Sequence, residues 1–166
     1  MENPDNSHIR NRKELDESIK YASYIQKAIL PSPHLMKKLL PEHFLIHLPR
    51  DIVSGDFYFL AQRKGLLYIA IADCTGHGVP GAFMSMLGIT LLNEIIIKKG
   101  ITLPSEILDN LKTNVVSSLH QTNEIGKSKD GIDLSVCLIK IKKRKLKYAG
   151  AYNPIYIVRN KNTNDD

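Results

Sequence analysis

A near-continuous apolar run, LLYIAI (66–71), leads without a spacer into ADCTGHGVPGAFMS (72–85) and then into MLGITLLNEIII (86–97). Apolar character this unbroken over the length of a strand implies burial on both faces, so the strand belongs inside a covered sheet. The segment after it has helical spacing from about Pro80 to Lys99. Met84, Leu87, Leu91 and Ile95 form its core stripe, and Gly100 ends it. Gly81, Ser85 and Gly88 form a second stripe of small residues, which lets another backbone approach closely. Between strand and helix lies the densest group of polar and conformationally special residues in the chain: Asp73, Cys74, Gly76, His77, Gly78 and Pro80.

The strand before it, DIVSGDFYFLAQ, is joined by a tight-turn pair, Lys64-Gly65. Counting outward from that turn sets Asp56 opposite Asp73. Like charges directly opposite on a hairpin repel. No lysine or arginine is near either one in sequence, and a divalent cation would let both carboxylates ionise. Alone, an aspartate beside a glycine-rich turn is ordinarily a cap or turn residue; paired with Asp56, it reads as a ligand. Carboxylates, backbone oxygens and water suit Mg²⁺ or Mn²⁺. Pro80 suits a first helical turn, whose free N–H groups weakly attract anions. His77 has no partner at metal-binding spacing, and neither HxxxH, CxxC nor GxSxG occurs, which argues against zinc and a serine triad.

Around this unit the pattern is mixed. Residues 1–12 read as a disordered tail. Leu15, Ile19, Ala22, Ile25 and Ile29 make one stripe on a helix over 13–30, ended by Pro31 and Pro33. That helix either covers a sheet edge or serves as a switch helix that pairs two copies into a homodimer. Residues 31–166 form the main domain. HLMKKLL is a short helical turn, EHFLIHLP alternates as a strand, and SEILDNLKTNVVSSLHQ is a helix. A polar loop spans 122–131, and IDLSVCLIKI, KLKYAGA and NPIYIVRN read as three further strands. Helix, three strands, two helices and three strands predict an α+β fold of two stacked sheets flanked by helices.

At 43% apolar and 24% charged, the chain is globular in composition. No apolar stretch reaches the roughly 18 residues of a membrane span, and the N-terminus lacks a secretory apolar region. Cys74 and Cys137 sit inside strand patterns and read as free thiols. A cytoplasmic location follows. The net charge is +6, and its densest basic group, KIKKRKLK (140–147), has the look of a charged hairpin turn. No aromatic residue interleaves with it to stack on bases, so nucleic acid is not an expected partner.

Three stretches carry a resemblance: LPRDIVSGDFYFL, LLYIAIADCTGHGVPGAFMSMLG, and DGIDLSVCLIKI followed by LKYAGAYNPIYIV. Together they resemble the SpoIIE-type branch of the PPM (metal-dependent serine/threonine) protein phosphatases, and IKYASYIQKAILPS resembles the helix that precedes that domain. The resemblance implies an αββα sandwich with two Mn²⁺ or Mg²⁺ ions that activate a water for in-line attack on phosphorus. By position, Asp73 bridges the two ions, the Cys74 carbonyl oxygen ligates one, and Asp56 binds directly or through water. His77 falls in the GHG turn, as a supporting residue or a general acid. The implied substrate is a phosphorylated regulatory protein of the anti-sigma-antagonist kind. The family's later Asp-Gly motif and final aspartate have no counterpart before Asp166, so a partial sandwich, incomplete at its C-terminus, is expected. Asp130 and Asp133 lie at the start of a core strand and not in that motif. A catalytically dead module that binds a signalling partner is the alternative.

Overall fold

A computed structural model of the chain describes residues 4–121 and 130–159. The first helix, α1, runs Pro4–Ile29, and α2 runs Pro33–Leu39. A hairpin of β1 (Phe57–Arg63) and β2 (Leu66–Cys74) follows. Then come α3 (Gly78–Leu92), continued by a π-helical turn at Asn93–Lys98, and α4 (Pro104–Ser118). A second hairpin, β3 (Ile132–Lys140) and β4 (Lys145–Ala151), closes through a 3₁₀ turn at Ile141–Lys143. The strands form one antiparallel sheet in the order β1-β2-β3-β4. The fold is α+β.

The first hairpin has the expected register. Its pairs run from Arg63 opposite Leu66 to Phe57 opposite Ala72. Both turn residues, Lys64 and Gly65, have positive φ (50° and 76°), the geometry that matches strand twist in a two-residue hairpin. Arg144, also at positive φ (47°), plays a similar part in the basic hairpin.

One face of the sheet packs on α3 and α4. Phe57, Ala72, Leu134 and Val136 meet Leu92, Ile95, Ile107 and Leu111 there, all buried. The small-residue stripe of α3 is used as its spacing suggests. A Cβ at Gly88 would lie 2.8 Å from the Phe57 ring, and one at Gly81 would lie 2.6 Å from the Gly76 carbonyl oxygen. On the other face, Met36 of α2 covers Leu60 and Leu67. Toward the far end of β2 that face is open, and Ile71 is 45% exposed.

Several expectations are corrected. Among the described residues there is one sheet, not two. The strand expected at EHFLIHLP and the described part (153–159) of the one expected at NPIYIVRN join no ladder, and Phe44, Ile46 and Leu48 are exposed. Period-two alternation makes a strand only where an edge supplies backbone partners, and neither segment meets one there. The helix expected from residue 13 already runs from Pro4, where proline suits a first turn, so the disordered tail does not extend to residue 12. Residues 1–3, and 122–129 of the expected polar loop, lie outside the described residues. The apolar stripe of α1 is largely open: Leu15, Ile25 and Ile29 are exposed, while Ser23 and Gln26 are buried. Finally, Gly78–Lys98, 21 residues, is a helix long and apolar enough to cross a membrane by length and composition. The expectation that no segment reaches that length is overturned. Here the helix is over half buried and supplies the core against the sheet.

Candidate metal centre

Phe57 pairs with Ala72, so one step outward Asp56 stands beside Asp73. On the other side of β2, Asp73 pairs with Asp133 of β3. Directly opposed residues share a face, so Asp133 lies on the face of Asp73. The sequence pattern places Asp133 correctly at the start of a strand. It does not show that this strand is the neighbour of β2, because two helices intervene in the chain.

The loop that delivers Asp56 is held at several points. Val53 is 1% exposed. The side chain of Gln26, from α1, donates from Nε2 to the Ser54 carbonyl (2.7 Å) and to Ser85 Oγ of α3 (2.7 Å). The Ser54 amide donates back to Gln26 Oε1 at 3.0 Å. Gly55 then packs against the opposing turn: a Cβ there would lie 2.8 Å from the Gly76 carbonyl oxygen and 3.2 Å from that of Cys74. Only a residue without a side chain lets these backbones meet. His47 Nε2 lies 3.3 Å from the Asp56 carbonyl oxygen.

The turn after Asp73 doubles back through Gly76 (φ 89°) and Gly78 (φ 62°), a region that suits glycine. Between them His77 opens α3 and makes no side-chain cap bond. Its Nδ1 instead lies 3.1 Å from Asp51 Oδ2. A cavity of about 180 Å³ sits between the two loops, lined by Arg50, Asp51, Asp56, Asp73, Gly76 and His77 among others. Asp56, Asp73 and His77 are thus brought to one cavity, and the Cys74 carbonyl lies at the Gly55 contact beside it.

Burial, the Asp56 charge and a hydrogen bond with Asp56 together raise the Asp73 pKa above its ordinary value. A carboxylate is harder to ionise beside a second one. The Cys74 thiol is pushed up to about 12, first by burial and then by Asp73 and Asp56. It therefore stays protonated and is no nucleophile at neutral pH. Two adjacent carboxylates with backbone oxygens form a hard oxygen set of the kind Mg²⁺ and Mn²⁺ accept, often with waters and substrate phosphate completing the shell. Among the described residues no group of three or more histidine, cysteine or acidic side chains forms a fuller cage.

A pH dependence follows from the direction of the Asp73 shift. A raised folded-state value means that the folded chain holds this proton more readily than the unfolded chain does. Without metal, the group favours folding as pH falls through the raised value. A cation must displace that proton. Mn²⁺ affinity is expected to rise with pH through the raised value and level off above it. Isothermal titration from just above the ordinary aspartate value of 3.8 up to neutral pH tests this, and an affinity flat across that whole range would separate Asp73 from the cation.

Comparison with known proteins agrees with this architecture. Residues 63–165 match the family described as Stage II sporulation protein E (SpoIIE). That span contains Asp73, Cys74 and His77 and begins after Asp56. Phosphoserine phosphatase RsbU of Bacillus subtilis (strain 168) is 32% identical over 101 residues, covering 60% of this chain and 29% of RsbU. The SiaA-PP2C domain of Pseudomonas aeruginosa superposes with a TM-score of 0.72 at 34% identity, over 84% of this chain and 55% of that one. The chain thus spans less than a third of RsbU and about half of the SiaA domain. On the family match and the shared fold, this chain belongs to the SpoIIE family of PPM-type serine/threonine phosphatase domains.

Proposed function

We propose that this domain hydrolyses phosphoserine or phosphothreonine in a regulatory protein; its relative RsbU is named a phosphoserine phosphatase. The observation that carries the reading is the convergence of Asp56 and Asp73 on one cavity. Asp56, Asp73 and the Cys74 carbonyl would hold Mn²⁺ or Mg²⁺. When bound, the metal supplies an activated water and offsets charge on the phosphoryl oxygens. The protein's own groups do the rest. The Gln26–Ser54 contacts fix the Asp56 loop, and Gly55 and Gly76 keep side chains out of the space between the loops. The first turn of α3 presents free N–H groups to an anion at the cavity. His77, whose Nδ1 lies at Asp51 Oδ2, would pass a proton to the departing serine or threonine oxygen.

A phosphoserine peptide with the sequence of an anti-sigma-factor antagonist tests this directly. Phosphate release should require Mn²⁺ or Mg²⁺ and should stop on chelation. The small number of ligating side chains among the described residues favours a second reading, a module that binds a phosphorylated partner without turnover. Peptide binding with no phosphate release at saturating Mn²⁺ would establish that second reading. We also propose that α1 pairs two copies. Its stripe of Leu15, Ile25 and Ile29 is exposed and runs into an apolar cleft lined by Val53, Val79 and Phe83. Sedimentation equilibrium is expected to show dimers that dissociate on Leu15→Glu/Ile25→Glu substitution; a strict monomer at high concentration would refute the pairing.

A further inference from the structure

We propose that the end of the sheet opposite the carboxylates is a docking surface for an anionic lipid bilayer. The antiparallel topology gathers cations from three parts of the chain at that end. Leu66, which follows the Lys64-Gly65 turn, pairs with Lys140, and Lys140 pairs with Lys145. The turns of both hairpins are therefore neighbours. The Arg63 side chain donates from Nε to the Ile97 carbonyl at 3.1 Å, which brings Lys98 and Lys99 alongside. The β3–β4 turn alone carries six cations between Lys140 and Lys147 and no acid. In the other two segments the acid is Glu94, and Lys99 holds it at 2.9 Å. Asp56, Asp73 and Asp133 occupy the other end. At about 3.3 Å per residue, β2 separates the two poles by roughly 20–25 Å.

The composition of this pole selects among anionic partners. Five of the six cations of the turn are lysines. Lysine is a mobile, strongly hydrated point charge, whereas arginine is the residue for bidentate phosphate and nucleic-acid contacts. Lysine is also depleted from protein–protein interfaces. No aromatic side chain lies between 140 and 147 to stack on a base. Two aliphatic side chains do project among the lysines, Ile141 at 47% and Leu146 at 49% exposure. Lysines flanking exposed aliphatic groups suit the headgroup boundary of a negatively charged leaflet, where charge attracts and the apolar groups insert. Docked this way, the domain would hold its carboxylate cavity away from the lipid.

The test uses the full 166-residue chain and sedimentation with vesicles of phosphatidylcholine alone or with about one-third phosphatidylserine. Binding is expected on the serine-containing vesicles and not on the neutral ones, and it should weaken as salt is raised. Each cation removed should lower partitioning about fivefold. Lys142→Gln/Lys143→Gln/Lys145→Gln should therefore lose on the order of 100-fold, with its circular dichroism and melting unchanged because these residues are exposed. Ile141→Ser/Leu146→Ser keeps every charge and should still weaken vesicle binding severalfold. Equal binding to both vesicle types would overturn the proposal, as would full binding by the triple variant. Tighter binding to duplex DNA or polyglutamate than to the anionic vesicles, unaffected by the Ile141/Leu146 variant, would assign the surface to another class of partner and equally overturn it.

Discussion

Asp73→Asn is expected to abolish most Mn²⁺ binding while leaving the metal-free domain as stable as before or more so. The two effects have opposite signs because they arise from one arrangement. Asp56 and Asp73 stand side by side, and the Asp73 carboxyl is already driven toward its protonated form by burial and by its neighbour's charge. An amide keeps the shape and removes the repulsion, so folding loses nothing. The cation loses one of the two carboxylates that converge on the cavity. Disturbing residues that merely support a metal ligand costs about 10–100-fold in affinity. Losing the ligand itself should cost on the order of 100-fold or more. Calorimetric titration with Mn²⁺ and thermal melts in chelator measure the two halves separately. Unchanged Mn²⁺ affinity would show that the cation sits elsewhere. A lower metal-free melting temperature would show that the carboxylate makes a stabilising contact, contrary to the repulsion argued here.

That pair is readable from the sequence because a two-residue turn fixes hairpin register by counting, and Lys64-Gly65 marks the turn plainly. The small-residue stripe of α3 is readable for a similar reason, since Gly81, Ser85 and Gly88 recur at helical spacing. Other features depend on contacts between parts of the chain that are far apart. That β3 pairs with β2, setting Asp133 beside Asp73, is a choice of sheet neighbour made across two helices. EHFLIHLP carries the alternation of a strand, but alternation says only that one face wants burial. Whether an edge is there to pair with is a property of the whole sheet. The π-helical turn at Asn93–Lys98 is equally silent, because its residues are ordinary helix formers with core spacing.

Gln26 is the functional residue that the sequence pattern hides most completely. The apolar residues of α1 predict that Leu15, Ile25 and Ile29 face the domain, yet the helix docks through a polar side chain. The available signal lies in α3: a serine inside a stripe otherwise made of glycines has a hydroxyl that needs a partner when another helix comes close.

Gln26→Leu should therefore be far more damaging than its conservative volume suggests. The amide makes three buried contacts, giving to the Ser54 carbonyl and Ser85 Oγ and receiving from the Ser54 amide. Leucine fills the space and satisfies none of them. Ser85 keeps its own bond to the Ala82 carbonyl, so the orphans are the two backbone groups of Ser54. At about 1–3 kcal/mol for each unsatisfied buried group, the loss is about 2–6 kcal/mol, less whatever the leucine regains by packing. For a domain of this size each kcal/mol lowers the melting temperature by about 2–4 °C. Ile25→Ala, one position away and 41% exposed, should cost no more than about 1 kcal/mol and serves as the reference. The second effect is on the site. Ser54 is two residues from Asp56, so a loop released from α1 no longer presents that carboxylate in one place, and Mn²⁺ affinity should fall about tenfold. Gln26→Glu separates the contributions: it keeps an acceptor for the Ser54 amide, loses both donors and adds a buried charge, so it should be at least as destabilising as leucine. If Gln26→Leu unfolds at the wild-type urea midpoint and binds Mn²⁺ normally, α1 is not what holds the Asp56 loop. If both quantities fall together while Ile25→Ala changes neither, the position of the N-terminal helix is coupled to the metal loop through this one amide.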